Sequence, residues 1–351
     1  MTGVSGTGPW PGADALAAQQ TVVGDLADLP DGLAGLPWTV RMTGRGMDGT
    51  RIAHALGMLV EMPAELGPHG WRLADRPGRD VTRLAAHRRE DLDALAVAAH
   101  GWTGPLVVPV CGPLTLAAGV YLARGDRAVA DAGAVAELVE SLAAGVGEHL
   151  AAIGRAVPGA TPTVLLHEPL LAQMVAGVLP SFSGYARLRA VPASVATERL
   201  TRAVTLLREA GAERVVLHVG AGVSAIPVAR KAGADGLGVE VGGLDERWWE
   251  QVAQVVESGL ALWAGVPRPA TSQCAGPDVR GVADAVLRGW DRVGLGRHGL
   301  RDVVLLAPAP GGDADQGAAR GTPADADSAA ARDTLSTVVR AASIVAERAE
   351  D

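Results

Sequence analysis

Two consecutive segments decide the fold. The first is Glu209-Ala210-Gly211-Ala212-Glu213 followed by Arg214-Val215-Val216-Leu217-His218-Val219. The second is Lys231-Ala232-Gly233-Ala234-Asp235 followed by Gly236-Leu237-Gly238-Val239-Glu240. Each has a glycine-centred connector and then a short, continuous apolar run. Continuous apolar character over five or six residues is what a strand covered on both faces requires. The glycine before it suits the left-handed residue that ends a helix, where a Cβ is penalised. Glu257-Ser258-Gly259-Leu260 repeats the connector ahead of Leu260–Val266. The spacing of these glycines leaves room for one short helix and one strand per unit.

Outward from this core the alternation continues. Leu106–Val110, Thr163–Leu166 and Asp302–Ala307 read as further buried parallel strands. A first strand is expected near Thr7–Trp10, and Trp71–Leu73 is the candidate for the remaining one. Between the strands lie helical patterns. Val135, Leu138, Val139, Leu142, Val146 and Ile153 share one face. So do Trp248, Val252, Val255 and Val256, behind Asp245 as N-cap, and Val279, Val282 and Val286, behind Asp278. Strand and helix in alternation, without hairpin signals, imply a parallel sheet. Seven or eight such units imply an α/β fold of the (β/α)8 TIM-barrel type, one domain over residues 1–351. No G-x-G-x-x-G follows a strand, which disfavours a dinucleotide-binding sheet. Residues 311–333, rich in Gly, Ala, Asp and Pro, read as a flexible loop, and a closing helix is expected at about 329–348.

Composition narrows the functional classes. The 351 residues carry a net charge of −8, so a broad basic surface for nucleic acid is not expected. No apolar run is long enough to span a membrane. The N-terminus lacks the basic start and apolar stretch of a signal peptide. Only two cysteines, Cys111 and Cys274, are present. They exclude a disulfide scaffold and an all-cysteine zinc site, and free thiols point to the cytoplasm. P-loop, nucleophile-elbow, H-E-x-x-H and EF-hand motifs are absent.

In such a barrel all strand C-termini meet at one rim, where the chemistry resides. Polar residues at strand ends are therefore the candidates. His167 and Glu168 follow one strand, and two adjacent ionisable groups there are costly without a purpose. We take them as the catalytic candidates. His218 and Glu240 end adjacent strands and could share a divalent metal. Cys111, read mainly as barrel filling, and Cys274, in the Pro267–Pro277 loop, are the weaker metal candidates. The remaining histidines, His54, His69, His87, His100, His149 and His298, read as surface residues. His87-Arg88-Arg89 reads as a solvated helix face.

Several motifs occur in a characteristic order: Gly6-Thr7-Gly8-Pro9-Trp10-Pro11-Gly12, Gly70-Trp71-Arg72-Leu73, Asp75-Arg76-Pro77-Gly78-Arg79-Asp80, Cys111-Gly112-Pro113-Leu114-Thr115-Leu116 and Glu168-Pro169. Together they resemble the C-terminal catalytic barrel of cobalamin-independent methionine synthase, in its short stand-alone actinobacterial form. The likeness spans roughly residues 5–310. It implies a barrel of the methionine synthase/uroporphyrinogen decarboxylase type. It also implies methyl transfer from a methyl-folate to homocysteine, the activity of a 5-methyltetrahydropteroyltriglutamate–homocysteine S-methyltransferase. Zinc is the implied cofactor; it would hold the acceptor sulfur as thiolate. The arginine-rich N-terminal motif of the decarboxylases is not supplied by Arg41 and Arg45.

Residue by residue, His218 and Glu240 match two of the family's zinc ligands. Its two ligand cysteines correspond to Gly220 and Pro310. Its Asp-Glu-Pro, whose aspartate helps bind the amino acid, reads His167-Glu168-Pro169. Its Ile-Gly-Ser reads Thr7-Gly8-Pro9. Two readings follow. In one, methyl transfer persists through a rebuilt site. In the other, the barrel has lost catalysis and binds a small molecule or a partner.

Overall fold

A computed structural model describes residues 1–182, 184–272, 276–309 and 327–350. Eight parallel strands form one sheet: β1 (Thr2–Gly6), β2 (Leu33–Gly35), β3 (Thr103–Cys111), β4 (Gly159–His167), β5 (Arg214–His218), β6 (Gly236–Glu240), β7 (Ala261–Gly265) and β8 (Val304–Ala307). The sheet order is β2-β1-β8-β7-β6-β5-β4-β3. Its two ends meet where Trp38, just past β2, bridges Val107 of β3. Thr39 N donates to Val107 O (2.9 Å) and Val107 N to Pro37 O (2.8 Å). The sheet therefore curls into a TIM-barrel-like cylinder.

Eleven helices accompany it among the described residues: α1 (Ala15–Ala27), α2 (Arg51–Leu56), α3 (Arg79–Ala98), α4 (Pro113–Gly119), α5 (Ala132–Ala156), α6 (Leu171–Ala176), α7 (Ala193–Glu209), α8 (Ile226–Arg230), α9 (Glu246–Glu257), α10 (Val279–Arg292) and α11 (Ser328–Arg348). The expected face of α5 is buried, whereas on α9 Trp249 rather than Trp248 is buried with Val252 and Val255, and on α10 Val282 and Val286 are buried but Val279 only partly. Along α5, Val135, Leu138, Val139, Leu142, Val146 and Ile153 are all buried. Asp245 accepts from Trp248 N, and Asp278 from Gly281 N, as N-caps. Gly211, Gly233 and Gly259 take φ of +101°, +80° and +86°, the left-handed conformation expected at each connector.

Three expectations need correction. The first barrel strand is Thr2–Gly6, not Thr7–Trp10; Pro9–Trp10 instead pairs with Arg41–Met42 outside the barrel. The remaining strand is Leu33–Gly35, too short to show a periodic signal. Gly70–Leu73 belongs to an antiparallel hairpin with Ala64–Gly67 in the long β2–β3 connection. Of the 311–333 loop, residues 311–326 lie outside the described residues. Its last part is helical instead, because Asp327 caps α11 through Ala329 N (2.9 Å). No helix among the described residues is long and apolar enough to cross a membrane.

Alternation sorts the strand residues into two sets. A cavity of about 810 Å³ opens at the strand N-termini, lined among others by Gly3, Leu36, Thr163, Val216, Trp263 and Val304. Residues two and four further along β4, β5, β6 and β7 share that inward face. At the opposite end this set finishes with His167, His218, Glu240 and Gly265. Sequence periodicity thus delivers the polar candidates to the interior of one rim.

Candidate functional site at the strand ends

Cys111, His167 and His218 are cross-strand partners on β3, β4 and β5. In-register neighbours of a parallel sheet point to the same side, so the two histidines meet. Their Nδ1 atoms lie 3.3 Å apart, with the rings edge-to-face at 69°. The other nitrogen of His218, Nε2, faces Glu240 Oε1 at 3.7 Å. Both histidines are 2% exposed, whereas the Glu240 side chain retains about a third of its surface.

Two glycines make this arrangement possible. A Cβ on Gly238 would stand 2.4 Å from His218 Cδ2. One on Gly265 would stand 2.7 Å from the Glu240 carboxylate. Each side chain lies across the bare backbone of the next strand. The Gly-x-Gly of β6 is a residue signal that could have identified this packing from sequence.

Burial holds His167 well below the ordinary imidazole pKa, and the neighbouring Arg51, His218 and Arg41 act in the same direction. The backbone of Thr7 opposes this only weakly. His167 is a neutral ring, and its Nε2 is buried without a hydrogen-bond partner. A buried orphan polar atom at the rim is a place where a ligand atom would be satisfied.

Glu168 parts company with its neighbour. It is fully buried and turns beneath α4, accepting from Leu114 N (2.9 Å) and Thr115 N (2.6 Å). A Cβ on Gly112 would overlap it at 2.2 Å. Burial pushes its pKa up to about 7, against the Thr115 and Leu114 hydrogen bonds and the Arg51 charge that favour the carboxylate. Glu168 therefore caps a helix rather than facing a substrate. Arg51, 5% exposed on α2, was invisible to sequence reading, because arginines on short helices are usually solvated.

Of the metal candidates, His218 and Glu240 meet, at 3.7 Å. Cys111 is buried and its Sγ lies 3.6 Å from Gly112 O. Cys274 and Pro310 lie outside the described residues. Gly220 takes φ +60°, a turn conformation that suits glycine. Among the described residues no three His, Cys, Asp or Glu side chains form a metal-holding group. His218 and Glu240 offer two donors, and a catalytic zinc takes three from the protein. These residues do not complete a zinc site.

The other histidines differ in part from expectation. His149 of α5 is 7% exposed and His54 of α2 is partly covered, so neither is a plain surface residue. Burial lowers their pKa values to about 4 and about 3, respectively. His87 sits 3.4 Å from Asp48 and 3.7 Å from Glu90, within a charged surface that also holds Arg83 against Asp48.

No protein-family model and no curated protein matches the chain. Solved structures similar to it include the carboxyl transferase domain of Rhizobium etli pyruvate carboxylase with 3-bromopyruvate. That domain is 15% identical with a TM-score of 0.25, over 69% of this chain and 41% of that one. The complete multifunctional pyruvate carboxylase from the same organism is 14% identical with a TM-score of 0.26, over 69% of this chain and 24% of that one. The chain thus spans well under half the length of either, and a likeness this slight carries no argument about function.

Proposed function

We propose that the chain is a methionine synthase-like methyltransferase whose thiol acceptor binds at the His218–Glu240 end of the rim. The observation that carries this reading is the relay His167–His218–Glu240. His218 presents Nδ1 to a neutral ring and Nε2 to a carboxylate. The order of the family-like motifs supports the same reading.

The described residues do not complete a zinc site, so no step is routed through zinc. His218 is placed to take the proton of an incoming S–H, and Glu240 to stabilise the imidazolium that results. His167 fixes the ring plane of His218 from the other side. The partly exposed Glu240 can also receive the ammonium group of an amino acid, and the unpartnered His167 Nε2 a polar atom of it.

The test is methionine formation from homocysteine and methyl-folate by the purified chain, read by mass spectrometry. The reading expects product from the wild type and a loss of at least a hundredfold in His218→Ala and Glu240→Gln. Absence of product from a folded wild type, with or without added zinc, overturns it. The second reading is a barrel that binds without catalysis. Gly220 and Pro310, standing where the family keeps its zinc cysteines, favour it. Homocysteine binding without turnover would establish that second reading.

A further inference from the structure

The cavity at the strand N-termini opens on the face opposite His167, His218 and Glu240, and no step of the proposed methyl transfer uses it. At about 810 Å³ it falls within the range of roughly 300–1,000 Å³ usual for small-molecule sites. Bulky branched side chains ordinarily fill a barrel interior in layers. Here Gly3, Ala34 and Ala261, at or near the starts of β1, β2 and β7, line the cavity, and their small size leaves it open.

The wall is largely apolar, with Leu36, Val216 and Val304 facing the space. Two polar side chains interrupt it. Thr163 of β4 lines the cavity at 3% exposure, and its hydroxyl has no hydrogen-bond partner among the described residues. Trp263 of β7 lines it at 2% exposure. Its indole lies over the bare backbone of Gly236, where a Cβ would stand 3.3 Å from Nε1. That N–H likewise has no hydrogen-bond partner among the described residues. Ser5, the next inward residue of β1 beyond Gly3, is fully buried, and its hydroxyl is unpartnered too. Buried donors without an acceptor are costly, and a native chain that keeps them in a cavity wall supplies the acceptor from elsewhere.

Charge defines the rest of the ligand. Glu213, Arg214, Arg301 and Asp302 are exposed residues of the mouth, two of each sign. Asp235 is already held by Arg208 (2.7 Å) and by Val215 N (2.8 Å). No ionisable side chain stands in the wall beside Thr163 and Trp263. An ionised ligand group placed there would lose its hydration without gaining a counter-charge. The buried part of the ligand is therefore neutral.

We propose that this cavity is a second binding site, for an uncharged molecule with an apolar body and an oxygen that accepts hydrogen bonds from Thr163 Oγ1 and Trp263 Nε1. Each hydrogen bond of ordinary net strength changes affinity by about three- to tenfold.

The experiment is calorimetric titration with acetophenone, an apolar ring bearing one carbonyl oxygen. Controls are ethylbenzene, of nearly the same shape without the oxygen, and benzoate, which adds a charge. Wild type should bind acetophenone about tenfold more tightly than either control. Thr163→Val keeps the shape of the side chain and removes the hydroxyl. It should weaken acetophenone by about threefold or more and leave ethylbenzene unchanged. Trp263→Phe, which keeps a ring and removes the N–H, should also weaken acetophenone more than ethylbenzene. Melting temperatures of the two variants show that the barrel persists, and the comparison between ligands within each variant is independent of any change in stability. Saturating homocysteine should leave acetophenone binding intact, which separates this inference from the proposed methyl transfer. Equal binding of acetophenone and ethylbenzene would overturn the proposal. So would undiminished acetophenone binding in Thr163→Val, tighter binding of benzoate, displacement by homocysteine, or no binding to wild type at millimolar concentration.

Discussion

His167 Nδ1 stands 3.3 Å from His218 Nδ1, so one ring must present its N–H and the other its lone pair. The pair is therefore polarised and holds one proton at the contact. Replacing His167 by Phe leaves His218 Nδ1 facing carbon and frees its tautomer. The expected result is a fall of at least tenfold in kcat for methionine formation, with a smaller change in KM. His167→Asn, which can still hydrogen-bond, should recover part of the loss. Steady-state kinetics of the two variants check this.

The bare backbone beside each side chain gives a second, graded prediction. Gly238→Ala places a Cβ against the rigid imidazole of His218, at 2.4 Å from Cδ2 and 3.0 Å from Cβ. The ring cannot move without disturbing its neighbour, so a cost of about 1–3 kcal/mol is expected. Gly265→Ala meets only the far end of Glu240, which is about a third exposed and can swing away. Stability should then change by less than about 1 kcal/mol, while the carboxylate leaves His218. Urea unfolding separates the two, and equal costs would contradict the packing described.

Much of this barrel was legible from residues 209–266, where glycine connectors and apolar runs repeat. The strands near the N-terminus were not. Leu33–Gly35 is three residues long and owes its place to pairing with Thr2–Val4, a long-range contact that no local pattern announces. The hairpin at Ala64–Leu73 was misassigned because one strand of it looked like a barrel strand on its own. At the rim, the neighbourhood of His167, His218 and Glu240 followed from topology alone. The fate of Glu168 did not. Adjacent residues of a strand end point in opposite senses, and only the structure reveals a helix N-terminus waiting on the other side.

The cysteines supply a third prediction. Cys111 joins no group of three His, Cys, Asp or Glu side chains that could hold a metal among the described residues. Cys111→Ser should leave zinc content unchanged after expression in zinc-supplemented medium. His218→Ala should abolish whatever weak binding the wild type shows. Metal analysis of dialysed protein checks both, and loss of tightly bound zinc in Cys111→Ser would require a site built differently.

Acid sensitivity provides the last. His54 and His149, with pKa values at about 3 and about 4, and His167, lower than an ordinary imidazole, are neutral in the folded chain. The unfolded chain titrates them near 6.5. Below 6.5 the unfolded state therefore binds the extra protons, and their contribution to stability is lost as pH falls, until His149 itself titrates at about 4. Glu168 acts with the opposite sign. Its folded pKa of about 7 lies above the unfolded 4.5, so its contribution is complete below 4.5 and is lost as pH rises through 7. Three histidines outweigh one carboxylate, and the urea midpoint should rise from pH 5 to pH 7. Glu168→Gln removes the opposing slope, so that rise should steepen. It also keeps only one acceptor for the Leu114 and Thr115 N–H groups, which should cost about 1–3 kcal/mol at pH 7. A midpoint that falls from pH 5 to pH 7 in the wild type would mean that Glu168, not the buried histidines, governs the acid response.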